Sequence, residues 1–425
     1  MSSRFEQGVE AMRAQMDARV VSYLSSCVHC GICAEACLFF TETGDPRYTP
    51  IHKTEPMRKL WSQEYTFWGK IASKLGLRKP LTEEDFADWE MLVYDGCSMC
   101  GRCSMVCPLG VDIAYIIRKV KEGLSAAGYS PQDLVEAGER ARTIGSPMGV
   151  TVKTLEATIR VQEKETGLEI PLDKEGAEYL CLFSSGEIAG FPEFIGSLAR
   201  IFKAADVSWT ISREYFEATN TGVQLGNSGL AAELVERVVA AAEKLKIKTV
   251  ISPECGHAYS TIRWDAPNII GRPLPFKVVH IMELLDQLRT EGRLQIDGSI
   301  DDRLSFHDPC NISRRGGVLQ EPRRLLNMVA PNFVEMTEHG DMNWCCGGGG
   351  GVSSNERANE LRLQVFSAKK RQLDEINVDL LVTSCSNCRH MIEDGLEENE
   401  MEIELVGITE LIADHLAGET PDRGQ

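Results

Sequence analysis

Residues 343–351 read NWCCGGGGG, two adjacent cysteines followed by five glycines. Glycine loses more conformational entropy on folding than any other residue, so a run of five suits neither a helix nor a strand interior. What the run supplies is backbone freedom. Gly347, Gly348 and Gly349, with the two glycines after them, permit positive φ and let the main chain come close to a bulky group. Amides exposed along such a loop can donate to sulfides and offset the charge of a metal–sulfur group. A phosphate loop is the competing use, but the segment has no G-x-G-x-x-G after a strand and no G-K-[ST].

Outward from this stretch, the last 250 residues say the same thing twice. AEYLCLFSSGE around Cys181 answers RLSFHDPCNIS around Cys310. KTVISPECGHAYS around Cys255 answers VDLLVTSCSNCRHM around Cys385 and Cys388, and FKVVHIMELLDQL answers IELVGITELIADHL. Short β-branched runs alternate with helical stretches such as AAELVERVVAAAEKLK and NERANELRLQVFSAKKRQLDEI, the α/β pattern. Two tandem α/β lobes are expected, with their loops at the strand C-terminal ends. The second lobe carries Cys310, Cys345, Cys346, Cys385 and Cys388 at those ends. In the first, Cys181 and Cys255 remain, while Asn227–Ser228 stand in place of the adjacent pair and Ser252 in place of Cys385. Five thiols from three separated loops point to a metal–sulfur site rather than to disulfides.

The N-terminal region carries two further groups: SCVHCGICAEAC with Cys27, Cys30, Cys33 and Cys37, and GCSMCGRCSMVCP with Cys97, Cys100, Cys103 and Cys107. Both are C-x2-C-x2-C-x3-C, the ferredoxin run for cubane [4Fe–4S] clusters, in which the fourth cysteine reaches the other cluster. One cluster is therefore expected on Cys27, Cys30, Cys33 and Cys107, the other on Cys97, Cys100, Cys103 and Cys37. Zinc knuckles do not use this spacing. Between the groups, TGDPRYTPIHKTEPMRKLW reads as a proline-punctuated loop turning basic at Arg58–Lys59, and Thr82 as the cap of a helix. The segment 38–96 is either a scaffold insertion or a docking face for an electron-transfer partner. VDIAYIIRKVKEGLSAAG reads as an amphipathic helix stopped by glycine.

The totals fit a globular chain: 425 residues, 43% hydrophobic, 25% charged, fifteen cysteines. A formal charge of −18 argues against a nucleic-acid partner. The sequence has no apolar run long enough for a membrane span and no export signal at MSSRFEQGVEAMRAQMDARV, so reduced thiols and a cytoplasmic location are expected.

The pattern C-x34-CC-x38-C-x2-C behind a twin-cubane domain resembles the heterodisulfide reductase catalytic-subunit family. It is most like the fused ferredoxin-plus-CCG, DsrK- and HdrD-like members, including those of sulfur-oxidation Hdr-like complexes. The resemblance implies an α+β fold. A mostly helical twin-[4Fe–4S] ferredoxin-like domain would span 1–150, a degenerate CCG lobe 151–298, and an intact CCG lobe 299–425 holding a noncubane [4Fe–4S] cluster on Cys310, Cys345, Cys346, Cys385 and Cys388. With Asn227, Ser228 and Ser252 unable to supply thiolates, one noncubane cluster and three clusters in all are implied. The implied activity is thiol/disulfide or persulfide redox chemistry in sulfur metabolism, fed with single electrons by the cubanes. Partners would be a flavin-containing or a membrane quinone/haem subunit, plus a thiol/disulfide small molecule or sulfur-carrier protein, with the chain held peripherally at the membrane through those subunits. The alternative is an electron conduit between a flavin dehydrogenase and quinone. His257 and His307 are candidate proton donors or packing histidines. Arg314 and Arg315, with Arg323 and Arg324, are candidate anchors for an anionic substrate or a solvated face.

Overall fold

In the computed structural model, residues 3–418 are described. The chain divides into two compact units, one made of residues 1–138, 221–230 and 347–368, the other of 139–220, 231–346 and 369–425.

The first unit is helical. Helix Arg4–Ala14 packs on Ile113–Ala126 through two glycines: a Cβ on Gly8 would stand 2.7 Å from Gly123 O, and one on Gly123 would run into Met12. Met12, Val20, Leu24, Met57, Leu60, Phe86, Val93, Ile117, Val120 and Leu124 close the core. Thr82 caps Glu83–Tyr94 in a capping box with Asp85. Ile113–Ala126 ends before Gly128 at φ 77°.

The proline-punctuated stretch is not a loop. It forms a 3-10 turn at Pro46–Tyr48 and helices at Pro50–Lys53 and Glu55–Glu64. Each proline sits in the first turn of its helix, where the missing N–H has no intrahelical partner to lose, so the residue that reads as a breaker starts an element instead. Met57 and Leu60 from this stretch are buried in the core, while Arg58 pairs with Glu55 and Lys59 with Asp85.

The second unit holds two fully parallel sheets. In one, β1 (Tyr179–Cys181), β2 (Trp209–Thr210), β3 (Thr249–Ser252) and β4 (Lys277–His280) run in the order β2-β1-β3-β4. In the other, β5 (Leu304–His307), β6 (Leu380–Thr383) and β7 (Glu404–Gly407) run β5-β6-β7, and Leu304 makes a further parallel bridge to Phe333 on its free side. Tyr179 pairs with Thr249 as Leu304 pairs with Leu380. Buried parallel strands are the continuous apolar runs that crossover connections require.

Asn227, which the sequence sets against a cysteine, accepts the amide of Leu230 at the start of the helix Ser228–Lys244. Cys181 lies within β1, fully buried, so its thiol packs in the core and burial pushes its pKa well up. Ser252 is the last residue of β3, still within the ladder.

Candidate iron–sulfur sites

The two N-terminal loops have the same backbone. In each, the residue before the second cysteine is left-handed, His29 at φ 55° and Met99 at φ 53°, and the glycine after it is too, Gly31 at 83° and Gly101 at 79°. Consecutive turns of this kind aim backbone N–H groups inward, the geometry that holds an anionic sulfur cluster. Short helices, Ile32–Glu35 and Arg102–Met105, then bring in the third cysteines.

The four thiols expected on one cluster, Cys27, Cys30, Cys33 and Cys107, line a single cavity. Cys37, Cys97, Cys100 and Cys103 line a second. Burial pushes the Cys33 thiol up to about 11 and those of Cys97 and Cys103 upward as well. Ligation to iron removes those protons and supplies the countercharge, so the donor set fits the group.

Two buried lysines escape a reading of the sequence. Lys53 Nζ donates to Gly96 O at 2.5 Å and to Cys37 Sγ at 3.6 Å, stacked near Phe39 and Tyr48. Lys121 Nζ donates to Gly350 O at 2.7 Å over the Tyr94 ring, and burial lowers its pKa to about 8. Neither stands out in a sequence, because burial of a lysine leaves no local pattern.

The glycine run explains itself in part here. Gly347, Gly350 and Gly351 take φ of 90°, 67° and 95°; Gly348, at −85°, and Gly349 do not need the left-handed region. A Cβ on Gly350 would stand 2.8 Å from Cys97 O and 3.1 Å from Met99 Cγ, so the loop lies directly on the backbone of the second cavity. Gly350→Ala is expected to destabilise the holoprotein by about 2–3 kcal/mol, from the left-handed φ plus the clash. It should also shift the midpoint potential of one cubane; matched redox titration and thermal melts would show both, and unchanged values would refute the close approach.

In the second unit the remaining thiols converge. Cys310 Sγ and Cys345 Sγ are 3.9 Å apart. One ring nitrogen of His307 and the sulfurs of Cys346 and Cys388 all lie within 4.8 Å of one another. Cys385 precedes the helix Ser386–Glu398, with Cys388 in its first turn; Cys388 donates to Cys385 and the amides of Gly256, Asn387 and Cys388 donate there too, lowering the Cys385 thiol to about 7. All five cysteines are 4% exposed. Buried soft donors converging from three loops fit a metal–sulfur group.

His307 is fully buried, neither ring nitrogen has a hydrogen-bond partner among the described residues, and burial holds it well below its ordinary pKa. His257 reaches the site through Asn311: His257 Nε2 is 3.2 Å from Asn311 Nδ2, which donates to Cys310 Sγ at 3.7 Å. Arg314, half-buried, clasps the loop ahead of Cys345, donating to Asp341 O at 2.5 Å and to Asn343 O at 2.6 Å. Arg323 pairs with buried Asp308 and with Glu335, and Arg324 with Asp286 and Glu321. Arg315 is half-buried.

Sequence reasoning missed several neighbours. Lys369 Nζ donates to Gln372 Oε1 at 2.6 Å, and burial lowers it to about 8 against the nearby Asp308, Cys346, Cys345 and Cys388. Asp308 anchors the approach to Cys345, accepting from Arg323 and from Gly340 N at 2.7 Å. Behind Cys385 lies a buried acidic set. Glu187 accepts from the amides of Ser184 and Glu254, Thr409 Oγ1 donates to Glu254, and Arg389 donates to Glu410. Burial raises Glu187 to about 8 and Glu217, held by Ser185, to about 7.

Two family models match the chain: a 4Fe-4S dicluster domain over residues 23–111 and a cysteine-rich (CCG) domain over residues 304–393. The Hdr-like menaquinol oxidoreductase iron-sulfur subunit of Archaeoglobus profundus is 26% identical over 94% of this chain and 81% of its own. A dihydromethanophenazine:CoB–CoM heterodisulfide reductase subunit of Methanosarcina acetivorans is 26% identical over 92% of this chain and 94% of its own. The EtfAB:quinone oxidoreductase of Syntrophomonas wolfei is 25% identical over 89% of this chain and 56% of its own. The chain is similar to heterodisulfide-reductase-like iron–sulfur subunits over nearly its whole length, and it is an oxidoreductase subunit with more than one iron–sulfur site. Among the described residues, no helix is long and apolar enough to cross a membrane.

Proposed function

We propose that the chain passes single electrons through two cubane clusters to a third, noncubane cluster, where a thiol/disulfide or persulfide partner is oxidised or reduced within a larger complex. The observation that carries this reading is the convergence of Cys310, Cys345, Cys346, Cys385 and Cys388 at the strand ends of one sheet. A metal–sulfur group bound there supplies the capacity to accept sulfur and exchange one electron at a time. The protein's own residues set its surroundings. Asn311 donates to Cys310, the Gly256 amide to Cys385, and Lys369 places positive charge beside the adjacent pair. His257, linked through Asn311, is the group best placed to move a proton to this edge of the site.

On this reading, residues 1–150 form the ferredoxin domain, 151–298 a degenerate lobe and 299–425 the intact one. The matching strand orders support a duplication, with the Phe333 bridge taking the place of β2. With Tyr179 of β1 matched to Leu304 of β5, Ser252 falls level with Thr383 and Cys181 with Phe306, which favours neither as the counterpart of a ligand. Cys255, which like Cys385 immediately precedes a helix after the second strand of its pair, is the residue that corresponds to a ligand.

The second reading, an electron conduit between a flavin protein and quinone held at the membrane by partner subunits, is favoured by the similarity to the EtfAB:quinone oxidoreductase. EPR of the anaerobic holoprotein separates the two. A paramagnetic signal that appears on oxidation with a thiol present supports sulfur chemistry; three clusters with no response to any thiol support the conduit.

A further inference from the structure

The helix Phe67–Lys74 is built the wrong way round for a surface helix. Gly69 lies on its buried side, where an added Cβ would stand 1.6 Å from Ser62 O, so the helix is pressed against the end of Glu55–Glu64. At about 100° per residue, Phe67, Ile71, Leu75 and Trp68 fall on an arc of about 100° opposite Gly69, bordered on one edge by Lys70 and Lys74. That arc faces solvent: Phe67 is 70% exposed, Trp68 75%, Leu75 67% and, in the turn beyond, Leu77 75%. Six of the exposed large apolar side chains among the described residues fall between Tyr65 and Leu77.

The charge of this stretch is also against the trend. Residues 65–82 contain Lys70, Lys74, Arg78 and Lys79 and no Asp or Glu, in a chain of formal charge −18. Arg78 is spent on Ser62 Oγ at 2.6 Å, which leaves three exposed lysines at the rim of the apolar arc. A protein-binding helix needs the apolar arc but not a basic rim. An anionic lipid interface calls for both, with aromatic residues at the polar boundary.

We propose that residues 65–79 form an interfacial anchor that lays this chain directly on an anionic lipid surface. Phe67, Trp68, Ile71 and Leu75 enter the acyl boundary, while Lys70, Lys74 and Lys79 meet the phosphates. This contact is the chain's own, in addition to any hold through partner subunits, and it stands whether or not the redox reading above is right.

The test is flotation of the anaerobic holoprotein with phosphatidylcholine vesicles, with and without about one-third phosphatidylglycerol. Binding is expected to the anionic vesicles only, and to be lost at high salt. The double variant Phe67→Ser/Trp68→Ser and the charge reversal Lys70→Glu/Lys74→Glu should each reduce binding roughly tenfold or more. These side chains are exposed, so cluster absorbance and helical circular dichroism should not change. The proposal is overturned if wild type fails to float, or if the variants float equally well. It is also overturned if the apolar variant instead abolishes a dimer seen without lipid, which would make the patch a protein interface.

Discussion

Cys345→Ser is expected to lower the iron content of the purified holoprotein from about twelve to about eight per chain while leaving both cubane signals in place. The geometry makes this sharp. Cys345 is 3.9 Å from Cys310 and 4% exposed, so solvent has little access to replace it, and the other four thiols are already proposed as ligands. A serine hydroxyl is a harder, less acidic donor than a thiolate and does not hold iron in a sulfur-rich site. Cys181→Ser is the matched control. That thiol is buried inside β1 and is not among the five proposed ligands, so its loss should cost packing but no iron. Iron and sulfide analysis of the two variants side by side decides the matter. If Cys345→Ser keeps all its iron, the ligand set proposed for the second unit is wrong.

Arg323→Leu should be the most damaging substitution outside the cysteines, at about 3–5 kcal/mol. The guanidinium makes a two-pronged pair with Asp308, at 2.5 and 2.7 Å, and a second with Glu335 at 2.8 Å. The Asp308 side chain is completely buried. Removing the arginine leaves that buried carboxylate without its ion-pair partner, which costs more than the pair contributes. Asp308 also accepts the Gly340 amide and its carbonyl accepts from Asn343, so the loop carrying Cys345 and Cys346 should loosen with it. Thermal melting of the holoprotein should drop sharply, with loss of the third cluster before the cubanes. Asp308→Asn together with Arg323→Leu should recover a large part of the loss; if the double variant is no better than the single one, the buried-charge explanation fails.

The two ferredoxin runs were readable because their chemistry is local. Spacings of two and three residues fix which sulfurs share a centre, and the exchange of the fourth cysteine between loops follows from the same rule. The α/β alternation was readable for a similar reason, since buried parallel strands leave continuous β-branched runs. Ser252 and Cys181 are less legible, because cysteine spacing alone does not show that both lie inside hydrogen-bonded strands. Prolines 46, 50 and 56 misled because a helix start and a loop use the same residue. Lys53, Lys121 and Lys369 were invisible. Nothing in the sequence distinguishes a lysine sealed against sulfur from one in water, and the interactions that seal them span up to 229 positions.

Those three lysines bear on how the protein is assembled. Enclosing an ammonium group opposes folding, and burial lowers Lys121 and Lys369 even with Asp95 and Asp308 nearby. Thiolates formed on binding iron would add negative charge next to the lysines, so metal filling and closing of the interior would be thermodynamically linked. A chain made in iron-starved cells should emerge with these regions open to proteases, and late delivery of iron and sulfide should close them in the same step that brings up the brown colour.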